Sequence, residues 1–163
     1  MSELVLRNRQ RVRALNSSLL REIAKALLRE HFRMADFELG IHLVGAKAMV
    51  RLNETFLHHA GSTDVITFDY ASPAPRLLPL AAAVHGEIFI CVDEAVAQAR
   101  RFRTSWQSEI VRYLVHGVLH LRGHDDQRPA DRRSMKREEN RLLRRLARRF
   151  ALSRLAARRK VAA

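Results

Sequence analysis

The sequence predicts an α+β fold: a single domain in which a small mixed sheet of about four strands packs with about five helices. Strand-type and helix-type hydrophobic patterns alternate along the 163 residues, and no internal repeat or long linker separates them. One helix, predicted over 106–122, is apolar on almost every side and therefore belongs at the centre of the fold. We expect the domain to span residues 1–150, followed by a basic C-terminal tail over 151–163 that can fray.

The first half of the chain contains two predicted strands and two predicted helices. Residues 3–6 can form a short edge strand, and a helix over 16–32 begins with the capping sequence Asn-Ser-Ser. Apolar and polar residues alternate over Phe37–Val44, which indicates a strand with one buried face. His42 lies on the other face of that strand and is predicted to be exposed. Apolar residues then follow helical spacing over Ala46–Leu57.

The second half adds two strands and the helices that surround them. Residues 64–70 are rich in β-branched and aromatic side chains, which favours a strand. Three of the four prolines fall within 71–83, so this segment is predicted to be a loop. A strand over 87–92 and a helix over 93–102 precede the apolar central helix.

Two histidines stand four residues apart on the central helix, where they can share a metal ion. His116 and His120 lie on the same helical face, a spacing that lets two neutral imidazoles reach one ion. Gly123 can adopt a left-handed conformation, end the helix and return the chain toward the histidines. Asp126 is then the predicted third ligand, and His124, which also follows the glycine, is the alternative. The competing interpretation is a pair of core histidines with ordinary protein partners.

The spacing within residues 116–126 matches the H-x-x-x-H-x-x-G-x-x-H motif of the metzincin proteases, with Asp126 at the last ligand position. In those proteases a glutamate after the first histidine is the general base, and this chain has Gly117 there. Glycine cannot accept a proton, so the sequence disfavours a peptidase. Glu109 lies two turns before His116 and is predicted to be either a partner of an imidazole N–H or an ordinary acid of a helix N-terminus.

The positive charge of the chain is concentrated near its C-terminal end. Of the formal net charge of +13, residues 128–160 carry +11, from fourteen basic and three acidic side chains. This segment includes a helix predicted over 131–150, with a sparse apolar seam. A helix this basic attracts a polyanion, which favours RNA or ribosome contact over the alternative of a merely solvated surface.

The remaining composition predicts a cytoplasmic protein. The single cysteine, Cys91, excludes a disulfide framework, suits a reducing compartment and is expected to be a buried strand residue. No apolar run approaches the ~20 residues that a membrane span needs. The first residues also lack the charged-then-apolar pattern of a signal peptide.

Three sequence blocks in the same order make the chain resemble the YbeY family of metal-dependent endoribonucleases over roughly residues 8–150. The family signature H-G-x-L-H-L-x-G-Y-D-H is similar to H-G-V-L-H-L-R-G-H-D-D at 116–126. The family block L-N-x-x-Y-R, followed by T-D-V-L-S-F, is similar to L-N-E-T-F-L at 52–57 and T-D-V-I-T-F at 63–68. The family's G-D-I strand corresponds to G-E-I at 86–88.

The resemblance implies a metal-dependent hydrolase that cleaves single-stranded RNA in ribosomal RNA processing and ribosome quality control. It implies one divalent ion, with zinc expected, and RNA and the ribosome or its small-subunit proteins as partners, without a membrane. The ligands would be His116, His120 and Asp126; the last is a histidine in the family, and carboxylate oxygen also binds zinc. The family's functionally important arginine falls on Leu57, and His59 is the candidate catalytic residue that would substitute for it if protonated.

Several alternatives stay open from the sequence. His58 is the other candidate beside His59, and both are equally consistent with ordinary exposed loop histidines. The general base can be solvent hydroxide, a substrate 2′-OH or a residue such as His59. The competing function is a non-catalytic ribosome-associated RNA-binding protein with a structural metal. Leucine at position 57, in place of the family's arginine, favours this alternative. A metal hydrolase of a small substrate is a third hypothesis.

Overall fold

The computed structural model describes residues 2–71 and 83–158, which form a four-stranded mixed sheet packed with five α-helices. The strands are β1 (Ser2–Asn8), β2 (Phe37–Val44), β3 (Val65–Asp69) and β4 (Val84–Cys91). The helices are α1 (Ser17–Ala26), α2 (Ala46–Leu57), α3 (Val92–Phe102), α4 (Trp106–Leu121) and α5 (Pro129–Arg149). The predicted α+β class is confirmed.

The strands are ordered β1-β2-β4-β3 across the sheet. β1, β2 and β4 run parallel, and β3 pairs antiparallel with β4, which makes the sheet mixed. β1 is an edge strand, as predicted for residues 3–6, and it is longer because all seven of its residues pair with β2. The proline-containing loop predicted over 71–83 connects β3 to β4, and its residues 72–82 lie outside the described residues.

α1 begins where the sequence predicts its cap. The side-chain oxygen of Asn16 accepts a hydrogen bond from the Leu19 N–H at 3.2 Å, which satisfies one of the free N–H groups of the first turn. The helix continues through Leu27–His31 as a wider π-helical turn. Its apolar face, which includes Leu20 and Ile23, is fully buried against the sheet and the later helices.

α4 lies at the centre of the larger core and packs against β3, β4, α3 and α5. Ten of its sixteen residues are buried, which agrees with a helix predicted to be apolar on almost every side. α1 and α5 contribute to the same core. No helix in the described part of the chain combines the length and hydrophobicity that crossing a membrane requires.

The opposite face of the sheet carries a smaller apolar cluster built around α2 and the thiol of Cys91, which is buried as expected. The prediction that His42 is exposed on this face is wrong, because only 8% of the residue is accessible. The ring of Phe89 stacks on the imidazole with 4.3 Å between centroids, and Glu87 Oε1 lies 2.9 Å from Nε2. Two neighbours from β4 therefore cover a side chain that strand alternation alone assigns to solvent.

The segment after α5 returns to the start of α1. Residues 152–155 form one 3-10 turn, and Leu155 is fully buried. The Asn16 N–H donates to Leu155 O at 2.8 Å, and the Ala157 N–H donates to Ala14 O at 3.0 Å. Of the tail predicted to fray over 151–163, residues 151–158 are described and are held by Leu155 and these two backbone bonds, and the last five residues lie outside the described part. The domain boundary at residue 150 stays a prediction.

Candidate metal centre

Two glycines allow α4 to lie very close to the sheet. A Cβ built on Gly117 would come within 2.9 Å of two side-chain carbons of Ile88 in β4. A Cβ on Gly86 would meet Leu121 at 2.7 Å and would also collide with the backbone oxygen of Phe68. A larger residue at position 117, including the glutamate of a metzincin, does not fit unless the helix moves away from the sheet. The position of the protease base is closed in this fold.

The end of α4 turns the chain back toward the two histidines. Gly123 has φ of +97°, and its N–H donates to His120 O at 2.9 Å. The N–H of His124 donates to Leu119 O at 3.0 Å. These two bonds form a Schellman motif, in which a left-handed residue just beyond the helix satisfies carbonyls of the last turn. The helix therefore ends at the predicted glycine.

The turn brings Asp126 to the two imidazoles. Nε2 of His116 and Nε2 of His120 lie 3.1 Å apart, and Asp126 Oδ2 lies 3.8 Å and 3.5 Å from them respectively. A tetrahedral site with metal–ligand bonds of about 2.1 Å has edges of roughly 3.4 Å. The triangle formed by the three atoms is close to one face of such a tetrahedron. All three side chains are partly exposed, so a fourth position can open to solvent or substrate.

Glu139 in α5 orients the imidazole of His116. Its Oε2 lies 3.0 Å from Nδ1 of His116, while its Oε1 accepts hydrogen bonds from Arg112 at 2.8 Å and from Lys136 at 3.3 Å. Burial would raise the pKa of Glu139, but the bonds from His116 and Arg112 and the charge of Lys136 outweigh it and lower the pKa to about 2. Glu139 is therefore a carboxylate that accepts the Nδ1–H of His116.

His120 is oriented by the turn itself. Its Nδ1 lies 3.1 Å from the backbone oxygen of His124, and a carbonyl can only accept, so this nitrogen carries the proton. With both Nδ1 atoms donating, the lone pairs of both Nε2 atoms are directed at the common centre. His124 thus contributes its backbone oxygen, and the group of possible ligand atoms contains Asp126 rather than the His124 ring.

Arg132 in α5 holds the loop that carries Asp126. Its Nε donates to the backbone oxygen of Asp126 at 3.1 Å, and its Nη2 donates to Gln127 O at 3.4 Å. The Gln127 N–H in turn donates to Asp125 Oδ1 at 3.1 Å, which closes a local Asx turn. The hydrogen bonds from Arg132 and the Asx turn thus hold in place the loop that carries the Asp126 carboxylate.

A groove of about 810 Å³ extends from His116 and Asp126 along α4 between α3 and α5. Its lining includes four basic residues, four carboxylates and two aromatic residues: Arg112, Arg132, Arg133, Lys136, Asp64, Glu109, Asp126, Glu139, Phe102 and Tyr113. The ring of Phe102 is 61% exposed. Tyr113 is buried, so the cations and the exposed ring of Phe102 are the features beside the possible metal centre that suit an anionic chain with planar groups.

Other sequence-predicted site residues lie elsewhere. Glu109 does not contact either imidazole; it accepts a hydrogen bond from Thr104 Oγ1 at 2.7 Å near the start of α4, as its alternative interpretation predicts. Leu57 is the exposed last residue of α2, followed by His58 in a left-handed cap conformation. The His59 N–H donates to Asn53 O at 3.2 Å, and neither of these loop histidines is among the residues that line the groove.

Glu139 and Arg112 are the site residues that sequence reasoning missed. Helical spacing identifies only partners on α4 itself, whereas Glu139 comes from the next helix. One signal was available in the sequence. Glu139 is one of only three acids in the strongly basic segment 128–160, and it occupies an apolar-seam position of the predicted helix.

Comparisons with known proteins agree on one family. The family model described as Endoribonuclease YbeY matches residues 5–147. The Endoribonuclease YbeY of Chlorobium luteolum is 35% identical over 136 residues, which are 83% of this chain and 93% of the relative. That of Chlorobium phaeovibrioides is 34% identical over 137 residues, 80% of this chain and 87% of the relative. The solution structure of TM1509 from Thermotoga maritima superposes with a TM-score of 0.66 at 21% identity, covering 99% and 100% of the two chains, and shows the same fold.

Proposed function

The chain belongs to the YbeY family of endoribonucleases, and we propose that it is a metal-dependent hydrolase that cuts single-stranded RNA during ribosomal RNA processing and ribosome quality control. The curated relatives are named endoribonucleases, and that name supplies the reaction, hydrolysis of a phosphodiester bond. The proposed partners are ribosomal RNA and the ribosome or its small-subunit proteins. The proposed location is the cytoplasm, which suits a chain with one buried, unpaired cysteine.

The convergence of three ligand atoms is the observation that carries this proposal. His116, His120 and Asp126 would hold one divalent ion, and two imidazoles with one carboxylate form a donor set that suits zinc. An ion bound there would supply Lewis-acid chemistry toward water and a phosphoryl oxygen. Glu139 and the carbonyl of His124 fix both imidazoles in the tautomer that leaves Nε2 free to bind.

The basic face of α5 would hold the RNA backbone. The buried positions of this helix carry Met135, Leu142 and Leu146, so most of its basic side chains are directed to solvent. Three of the cations, Arg132, Arg133 and Lys136, line the groove that leads to the proposed metal ligands. Contacts to phosphates position a strand without selecting its sequence, so specificity would come from the ribosomal partner.

Three candidates are proposed for the group that supplies or generates the attacking oxygen. Packing of Gly117 against Ile88 leaves no room for a side-chain base at that position of α4. His59, solvent hydroxide and the substrate 2′-OH are the candidates. His59 does not line the groove beside the proposed ligands, and it is kept as the proposed catalytic residue on the protein for contact with RNA from its exposed loop. The alternative of a non-catalytic RNA-binding protein is not favoured, since the relatives are named as enzymes.

Cleavage of a labelled single-stranded RNA by the zinc-reconstituted protein tests the proposal. We expect chelation to abolish cleavage and added Zn²⁺ to restore it. His120→Ala removes one ligand and should reduce cleavage by more than the roughly 10- to 100-fold typical of losing an outer-shell partner. His85→Ala is the matched control, because that histidine pairs with Glu38 on the other side of the sheet. Cleavage by His120→Ala at the rate of the parent protein would refute the proposal.

A further inference from the structure

A second groove, of about 290 Å³, lies between α2 and the face of the sheet opposite α4. Ile88 in β4 contacts the central helix, so its neighbour Phe89 is on the other side of the sheet. The groove is lined by apolar residues, two aromatic rings and two arginines: Arg9, Val44, Gly45, Ala48, Arg51, Leu52, Thr55, Phe56 and Phe89. It shares no lining residue with the groove beside the metal centre.

The two aromatic rings of this groove are held in fixed positions. Phe56 is 59% exposed, yet its ring packs edge-on against Phe68 with 5.5 Å between centroids. Phe89 packs edge-on against the same ring at 5.7 Å and is stacked on its other neighbour, His42, at 4.3 Å. Rings that are already ordered lose little conformational freedom when a planar ligand stacks on them.

The described residues that line this groove give it a positive charge. Arg9 and Arg51 are both exposed, and no carboxylate is among the residues that line the groove. Neither guanidinium forms an ion pair with a described residue. The groove thus combines a stacking surface with two cations, which is complementary to an anion that carries a planar, apolar group.

We propose that this groove binds one unpaired nucleotide of an RNA strand, with its base against the rings of Phe56 and Phe89 and its flanking phosphates on Arg9 and Arg51. The volume suits one nucleotide, and stacking would make the site tolerant of sequence because every base has a π-face. That the bound polymer is RNA rests on the proposed function. Binding at this site, on the face of the sheet opposite α4, requires neither the metal nor cleavage.

Binding of a fluorescent 12-nucleotide oligouridine to the full chain in EDTA tests this site, because cleavage is then suppressed. Phe56→Ala should weaken binding by about tenfold, within the range for loss of one stacked base. Replacing Arg9 and Arg51 together by Gln should reduce the slope of log affinity against log salt by about 1.4, or about 0.7 for each phosphate contact on a single strand. Lys47→Gln, an exposed cation of α2 outside the groove, is the matched control and should keep the parent slope.

The affinity for free uridine monophosphate shows whether the groove binds an RNA strand or a mononucleotide. We expect it to bind far more weakly than the oligomer, and equal affinity would overturn the proposal. Parent-like affinity and salt slope in both the Phe56→Ala and the double-arginine variants would also overturn it, and would leave the cleavage assay of the metal centre untouched. If the parent chain cleaves no RNA but both variants lose binding, this site is supported and only the nuclease proposal fails. Thermal unfolding of each variant verifies that it is folded.

Discussion

The Nε2 atoms of His116 and His120 lie 3.1 Å apart, while the Nδ1 atom of each ring lies within 3.1 Å of an oxygen acceptor. Because both Nδ1 atoms donate to oxygen, the neutral tautomer of each ring has its lone pair on Nε2, and the two Nε2 atoms are separated by only a short gap. Lone pairs repel at this distance unless a proton or a cation lies between them. The arrangement is the one expected of a metal ligand pair whose outer partners have fixed its tautomers.

Glu139→Gln should weaken zinc binding by roughly 10- to 100-fold, since the neutral amide holds the Nδ1–H of His116 less strongly than a carboxylate does. Competition with a chromophoric chelator measures the affinity. Glu138→Gln is the matched control, because that acid pairs with Arg141 and contacts neither histidine. Equal zinc affinity in the two variants would show that Glu139 does not support the ligand.

Gly117→Ala should lower the free energy of unfolding by about 1–3 kcal/mol, because the added methyl group would overpack α4 against Ile88. Urea unfolding measures the loss. Gly45→Ala is the control: a Cβ there would contact only Asp93 Oδ2 at 3.4 Å, and the residue has an ordinary φ of −88°. If Gly117→Ala loses no more free energy of unfolding than Gly45→Ala, the close packing of helix and sheet is contradicted.

Tyr70→Phe should make stability depend less on pH below neutrality. The Tyr70 hydroxyl donates to Glu87 Oε2 at 2.7 Å, and this bond, aided by His42 and opposed by burial, lowers the pKa of Glu87 below its ordinary 4.5. The same bond raises the pKa of Tyr70 to about 12. A lowered carboxyl pKa contributes stability above the unfolded pKa, and that stability is lost as pH falls through the folded pKa.

The melting temperature of Tyr70→Phe should therefore lie below that of the parent protein at pH 7, and the difference should shrink at a pH low enough to protonate Glu87 in both proteins. Carboxyl NMR titration should show a higher pKa for Glu87 in the variant. A melting difference of the same size at both pH values would mean that the hydroxyl acts by packing rather than through the carboxylate.

The sequence predicts most of this architecture because its signals are local. Helical spacing predicts α2 to the residue, and the glycine after the histidines predicts the end of α4. His42 was misassigned because strand alternation cannot reveal that Phe89, from a strand paired only through the tertiary fold, covers its ring. Glu139 was missed for the same reason: it lies 23 residues after His116, and only the packing of α5 on α4 brings the two together.

Metal content, measured by mass spectrometry after zinc loading and desalting, tests the central claim most directly when Asp126→Ala is compared with His124→Ala. We expect about one zinc per chain in the parent and in His124→Ala, because position 124 contributes only its backbone oxygen. Asp126→Ala should lose most of the bound zinc, because it removes the third ligand of the triangle. Full zinc occupancy in Asp126→Ala, or none in the parent protein, would contradict a metal centre formed by His116, His120 and Asp126.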